Sequence, residues 1–469
     1  MIHKTLWKRV LRMKRFNRSM IDGPLFSGIV MYTIPIILTS VLQLLFNAAD
    51  LVIVGRFCGS VSVAAVGATG AITNLIVNLF IGLSVGTGVT VAHALGSRED
   101  EAVHRAVHTA MPTALIGGLL LTFVGVLLSE PLLRLMETPE TVLPLSTIYM
   151  QIYFGGMVFN MVYNFCASIL RAAGDTKSPL IYLTLAGVVN VVLNVIFVTV
   201  LHMNVAGVAL ATTISQALSA VLVVIALMRR TDACHLDLKK MRIYAPQFLK
   251  MVSIGIPAGI QGSLFSISNV LIQSSVNSFG DIFMSGNAAA GNIEGFAYVS
   301  INAFSQTAVN YVGQNVGARQ YRRVGRIVGI CLACVVVVGL TVGIIGYSLG
   351  EQLLSIYITD SPEAIAYGMI RLSYICLPYF LCGLMDVSTG ALRGMGASIA
   401  PMVISVLGVC GLRVAWISTI FQIPQFHTPQ CLYLSYIVSW SATFLIQIIA
   451  FIRIYRRHLA IYDAQNSAS

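Results

Sequence analysis

IVMYTIPIILTSVLQLLFNAADLVIV, residues 29–54, carries one charge in 26 positions, Asp50. At about 1.5 Å per residue the stretch is long enough to cross a bilayer as a helix. A carboxylate at that depth costs about 2.5–3.5 kcal/mol on insertion scales, so it marks a functional site by default. The plainer alternative is a core acid hydrogen-bonded to a neighbouring helix. No Lys or Arg inside the stretch neutralises it.

The rest of the chain has the same character. With 57% hydrophobic and 10% charged residues and a mean hydropathy of +0.84, it reads as an all-α integral membrane protein. Further apolar stretches lie at about 61–95, 109–129, 148–170, 180–201 and 205–228, then at 251–279, 284–312, 327–349, 365–392, 399–423 and 433–454. Twelve transmembrane helices are expected. Ahead of them, residues 1–23 hold seven Lys and Arg interleaved with Leu6, Trp7, Val10, Leu11 and Phe16, the pattern of a basic amphipathic segment on a membrane surface. Nine cysteines, an odd number lying mostly in apolar runs, argue against a disulfide framework.

The net charge of +11 reports topology and not nucleic-acid binding. With the amino terminus in the cytoplasm, 25 of the 29 Lys and Arg fall on that side, Arg56, Arg134 and Arg371 fall on the other, and Arg413 lies within a span. A multi-pass protein of the cytoplasmic membrane with both termini inside is expected, in contact with the lipid bilayer and with no obligatory protein partner.

The two halves repeat. Pro35 and Pro257, Arg171 and Arg393, Gly174 and Gly396, and Pro179 and Pro401 each differ by 222 positions. Six spans per half is an even number, so the halves run parallel, related by an axis along the membrane normal. The expected units are a first lobe over 24–228, a cytoplasmic linker over 229–250, a second lobe over 251–456 and a tail over 457–469. Pro35 and Pro257 interrupt helical hydrogen bonding inside apolar spans and are candidate hinges.

Several segments resemble the multidrug and toxic compound extrusion (MATE) family: N-x-x-D at Asn47–Asp50 followed by V-G-R, L-R-A-A-G-D-T-K-S-P at 170–179 with its partner L-R-G-M-G at 392–396, G-V-A-L-A-T-T-I-S-Q at 207–216, and Q-N-V-G-A-R at 314–319. The resemblance covers essentially the whole chain. It implies a secondary active transporter that exports cationic small molecules by antiport with protons or sodium, through two six-helix lobes around a central cavity. Carried over by position, it implies an ion-coupling site of Asp50, Asn190, Asn194 and Thr212. Asn194 stands where the family often has a second acid. A lone carboxyl suits a proton, since a dry pocket tolerates its neutral form, whereas sodium prefers several oxygens and more negative charge. The plain reading of the two asparagines is hydrogen bonding between helices.

The second half has its own acids, Glu294 and Asp386, candidate cavity acids that the repeat does not require. Arg413 is expected in an ion pair with one of them. No phosphate-binding loop and no H-E-x-x-H motif is present, so no cofactor, no metal and no enzymatic activity are expected. His104 and His108 read as a solvated helical pair. The alternatives are a lipid-linked sugar flippase, with more spans and a basic cavity, and a membrane enzyme acting on lipid head groups, with polar residues clustered at one interface.

Overall fold

The computed structural model describes residues 20–359 and 361–467. The basic segment expected over residues 1–23 therefore lies, up to residue 19, outside the described residues. Among these the chain is helical, without a strand. The first half is α1 (Leu25–Phe57), α2 (Ser60–Ser97), α3 (Asp100–Leu135), α4 (Leu143–Gly155 with Met157–Ala172), α5 (Lys177–Val195) and α6 (Asn204–Met228). The second is α7 (Ala245–Asn277), α8 (Asp281–Gly317), α9 (Tyr321–Ser348), α10 (Pro362–Arg371 with Tyr379–Gly394), α11 (Ile399–Ser405 with Leu412–Ser418) and α12 (Pro429–Ser467).

Ten helices among the described residues are long and apolar enough to span a bilayer, and the two parts of α4, bent by 45°, make an eleventh. The twelfth is α8. Its 37 residues reach about 55 Å, but Asn287, Glu294, Asn302, Gln306, Asn310, Gln314 and Asn315 make it too polar to qualify on hydropathy. It packs against α1, α2, α9 and α10, and most of its polar side chains are buried in protein. A polar helix is tolerated at membrane depth only in such surroundings.

The repeat seen in the sequence is a repeat of backbone geometry. The motif at 170–174 ends α4 with Gly174 at φ 87°, Asp175 N donating to Leu170 O at 2.8 Å and Gly174 N to Arg171 O at 2.9 Å. The motif at 392–396 ends α10 in the same way, with Gly396 at φ 85°, Ala397 N on Leu392 O at 3.0 Å and Gly396 N on Arg393 O at 2.8 Å. Both are Schellman caps, in which a glycine takes the left-handed conformation so that two terminal carbonyls find donors. Arg98 and Arg319, at the ends of α2 and α8, both sit at φ 56°.

The lobes are not cleanly divided along the chain. Ile29, Tyr32 and Ile36 of α1 pack into a core with Ile301, Phe304 and Ile327 of the second half, while Phe46, farther along α1, lies against Gly187 of α5. Met251 of α7 joins the core of the first half. α7 crosses α2 at glycines: a Cβ on Gly86 would strike Met251 O, and one on Gly82 would strike Gly255 O and the Gly259 backbone. Pro35 and Pro257 are buried inside α1 and α7, and both helices continue through them. Cross-lobe hydrogen bonds run from the helix ends carrying the Arg-rich loops to mid-depth, where Asn78 Nδ2 meets Ser266 Oγ at 3.4 Å. About one turn away on the same two helices, Ser263 Oγ donates to Leu75 O at 2.9 Å.

Candidate functional site

Asp50 lies two turns from the non-basic end of α1, and the three residues expected around it come together. Asn194 Nδ2 donates to Asp50 Oδ1 and to Asn190 Oδ1 at 3.3 Å. Asn190 Nδ2 donates to Thr212 Oγ1 at 3.3 Å. Thr212 Oγ1 lies 3.4 Å from Asp50 Oδ2 and 3.0 Å from Val208 O. A hydroxyl has one proton, so Thr212 serves only one of these acceptors at a time. The asparagines supply a single committed donor to a carboxylate that can accept about four. Asn194 Oδ1 is buried with no partner among the described residues. It is an acceptor within the same cluster, on the side chain that already touches Asp50. The arrangement can therefore hold Asp50 ionised, through the Asn194 amide, or neutral, with the Thr212 hydroxyl oxygen 3.4 Å from Asp50 Oδ2 as an acceptor for its proton.

In the second half Glu294 is buried at 5% exposure, and its partner is not the one expected. Arg371 Nε donates to Glu294 Oε1 at 2.8 Å and Arg371 Nη2 to Oε2 at 2.8 Å, a bidentate pair across α8 and α10. Asn287 Oδ1 accepts from Arg371 Nη1 and from the Tyr433 hydroxyl at 2.9 Å. The sequence assigns Arg371 to the outer side because it falls near a span end. In the structure it closes the first segment of α10 with its side chain turned inward.

The expected ion pair of Arg413 with Glu294 or Asp386 is not formed. The Arg413 guanidinium stacks over Tyr436 at 4.0 Å, lies 5.6 Å from the Trp440 ring, and donates through Nε to Ser439 Oγ at 3.0 Å. Aromatic faces and a hydroxyl serve this cation, and Glu294 is engaged by Arg371 instead. Asp386 is buried beside Asn302 of α8, with Arg393 two turns along its own helix, and its Oδ2 has no hydrogen-bond partner among the described residues. His104 and His108 stack at 3.8 Å, but they are not a solvated pair: His108 is wholly buried and accepts from Asp237 N at 3.1 Å, pinning the linker to α3.

Three π-helical turns adjoin these polar residues. One comes after Asn194 (Ile196–Val200), one after Arg371 (Leu372–Cys376), and one ends just before Arg413 (Val406–Gly411). Such turns insert a residue, rotate the remainder of the helix and are frequent at functional sites. Sequence reading missed them, along with Asn287 and Tyr433. The signal available for Arg371 was the midspan acid itself, which needed a buried cation.

The MatE family model matches the chain twice, over residues 35–196 and 257–417. The chain is 30% identical over 396 residues to the probable multidrug resistance protein YpnP of Bacillus subtilis (strain 168), covering 84% of this chain and 87% of the relative. It is 26% identical to the probable multidrug resistance protein YoeA of the same organism, covering 82% and 84%. Its fold matches a solved outward-facing conformation of a multidrug resistance MATE family transporter of the MOP superfamily with a TM-score of 0.87 at 20% identity, over 95% of this chain and 98% of the other. The repeated family match, laid over the two six-helix halves, shows that the chain belongs to the MATE family of multidrug and toxic compound extrusion transporters.

Proposed function

We propose that this multi-pass membrane transporter exports cationic small molecules from the cytoplasm by antiport with protons, sodium being the alternative ion. The observation that carries the reading is Asp50: a carboxyl at membrane depth, without a salt-bridge partner among the described residues, set among amides and a hydroxyl that can accommodate either protonation state. A dry pocket favours the neutral acid, and water entering the pocket favours the ionised one. Coupling requires that the proton and the exported cation prefer different arrangements of the lobes, since a ligand that binds both equally shifts nothing.

The 25 basic residues of one side support a cytoplasmic location for that side. Cross-lobe hydrogen bonding at that end supports a cleft that opens on the opposite side. Pro35 and Pro257, where α1 and α7 pass between the lobes, are the hinges of this reading. The names of the Bacillus subtilis relatives, multidrug resistance proteins, support drug-like substrates. The absence of a phosphate-binding loop from the sequence supports an ion gradient as the energy source.

The test is efflux of ethidium from proteoliposomes under proton and sodium gradients imposed separately. Asp50→Asn, which resembles the neutral acid, is expected to insert and fold, to bind ethidium, and to lose gradient-driven export. Wild-type export by Asp50→Asn would remove Asp50 from coupling, and export driven only by sodium would replace the proton.

A further inference from the structure

A Schellman cap supplies donors to two of the terminal helical carbonyls, those of Leu170 and Arg171 in α4 and of Leu392 and Arg393 in α10. The next carbonyl in each helix, that of Ala172 or Gly394, is left for another donor. In both helices it is supplied from the opposite half of the molecule. Gln314 Nε2 on α8 donates to Ala172 O at 2.6 Å, and His93 Nε2 on α2 lies 2.7 Å from Gly394 O. A carbonyl only accepts, so His93 carries its proton on Nε2. His93 and Gln314 differ by 221 positions and Ala172 and Gly394 by 222, so these are one contact made twice under the repeat.

Between the two contacts the ends of α2 and α8 meet at equivalent glycines. A Cβ on Gly317 would strike His93 O and come within 3.0 Å of Gly96 Cα, and one on Gly96 would strike Gln314 O. A residue that touches its own equivalent lies on the axis relating the halves. We propose that His93 and Gln314 are the paired latches of the cytoplasmic gate. They are positioning residues that hold the basic ends of the lobes together in the outward-open state and must let go of Gly394 and Ala172 for the inward-open state. Glycine at 96 and 317 lets the two backbones come close enough for both bonds to form. The two caps thereby do more than end a helix: each leaves one carbonyl for the other lobe to hold. The proposal rests on the alternating exposure that antiport requires.

The test is amide hydrogen exchange, read by mass spectrometry on the full chain at rest in nanodiscs, without substrate or gradient. Gln314→Ala is expected to speed exchange at residues 170–176, and His93→Ala at 392–398, each by about fivefold for the loss of one hydrogen bond worth about 1 kcal/mol. Each effect appears in the lobe that does not carry the substitution. The exchanged residues His93→Gln and Gln314→His, which restore a donor of the type used at the equivalent position, are expected to exchange as the parent does. A purely local packing role predicts acceleration only around the substituted residue. Parental exchange at both caps in the double variant His93→Ala/Gln314→Ala, or a His93→Gln variant as fast as His93→Ala, would overturn the assignment. Should the double variant not fold, the two single and two exchanged variants decide it. Because exchange is read at rest, failed ethidium export with an intact latch response would count against the transport reading alone.

Discussion

Removing Glu294 while keeping Arg371 tests the second lobe most directly. The pair is bidentate, with both bonds at 2.8 Å, and the two side chains are only 14% and 6% exposed, so water cannot take the place of a missing partner. In Glu294→Leu the guanidinium retains Asn287 and the Tyr433 ring face at 5.8 Å but loses its counter-charge. Breaking a buried pair in this way costs about 3–5 kcal/mol. At about 2–4 °C per kcal/mol for a unit the size of one lobe, the melting temperature should fall by roughly 6–20 °C. Arg371→Met should fall comparably. The double variant Glu294→Leu/Arg371→Met strands no charge and should recover most of the loss, because apolar replacement of a whole buried pair is often neutral. The assay is thermal unfolding in detergent at one fixed heating rate, the transition being rate-dependent if irreversible. A fall of less than about 2 °C in either single variant, or a double variant equal to the sum of the singles, would refute the buried-pair reasoning.

Arg413→Met strands no carboxylate and forfeits chiefly the stacking on Tyr436, about 0.5–2 kcal/mol, so its melting temperature should fall less than that of Arg371→Met; a larger fall would expose an acidic partner. Gly86→Leu drives a side chain into the Met251 carbonyl at the α2–α7 crossing and should remove the protein from the folded peak in size-exclusion chromatography, whereas Gly70→Ala, with open space around it, should elute as the parent does. Asn194→Leu removes the amide that donates to Asp50 and should abolish gradient-driven ethidium export while leaving the elution profile unchanged; retained export would place coupling elsewhere.

The architecture was legible because membrane-spanning helices are written in runs of apolar residues and the halves share one offset. The Asp50 cluster was legible through its resemblance to the family, and its members do meet. The second lobe was harder. A buried charge announces itself by its cost but not by its partner, and Glu294 and Arg371 lie 77 positions apart with Arg413 an equally plausible candidate by count. That Arg413 rests on Tyr436 and Trp440 could not be read from spacing, since aromatic residues are frequent throughout the chain. The π turns left no trace because they depend on how neighbouring helices pack. His108 misled for a related reason: a histidine beside a loop is exposed unless the loop folds back, and here residues 235–244 do so, with Tyr244 N donating to Thr109 Oγ1 at 3.1 Å.

The polarity of α8 also governs how the protein is made. Its partners in the first half, α1 and α2, are synthesised before it, but Arg371 comes 77 residues after Glu294. At roughly 5–20 residues per second the acid waits about 4–15 s for its counter-ion. During that interval α8 is a poor candidate for release into lipid, being too polar to partition alone and carrying a carboxylate with nothing to balance it. Contact with the first lobe, against which α8 packs through α1 and α2, lowers that cost until α10 arrives. The order of two charges along the chain thus separates the synthesis of Glu294 from that of the cation that balances it.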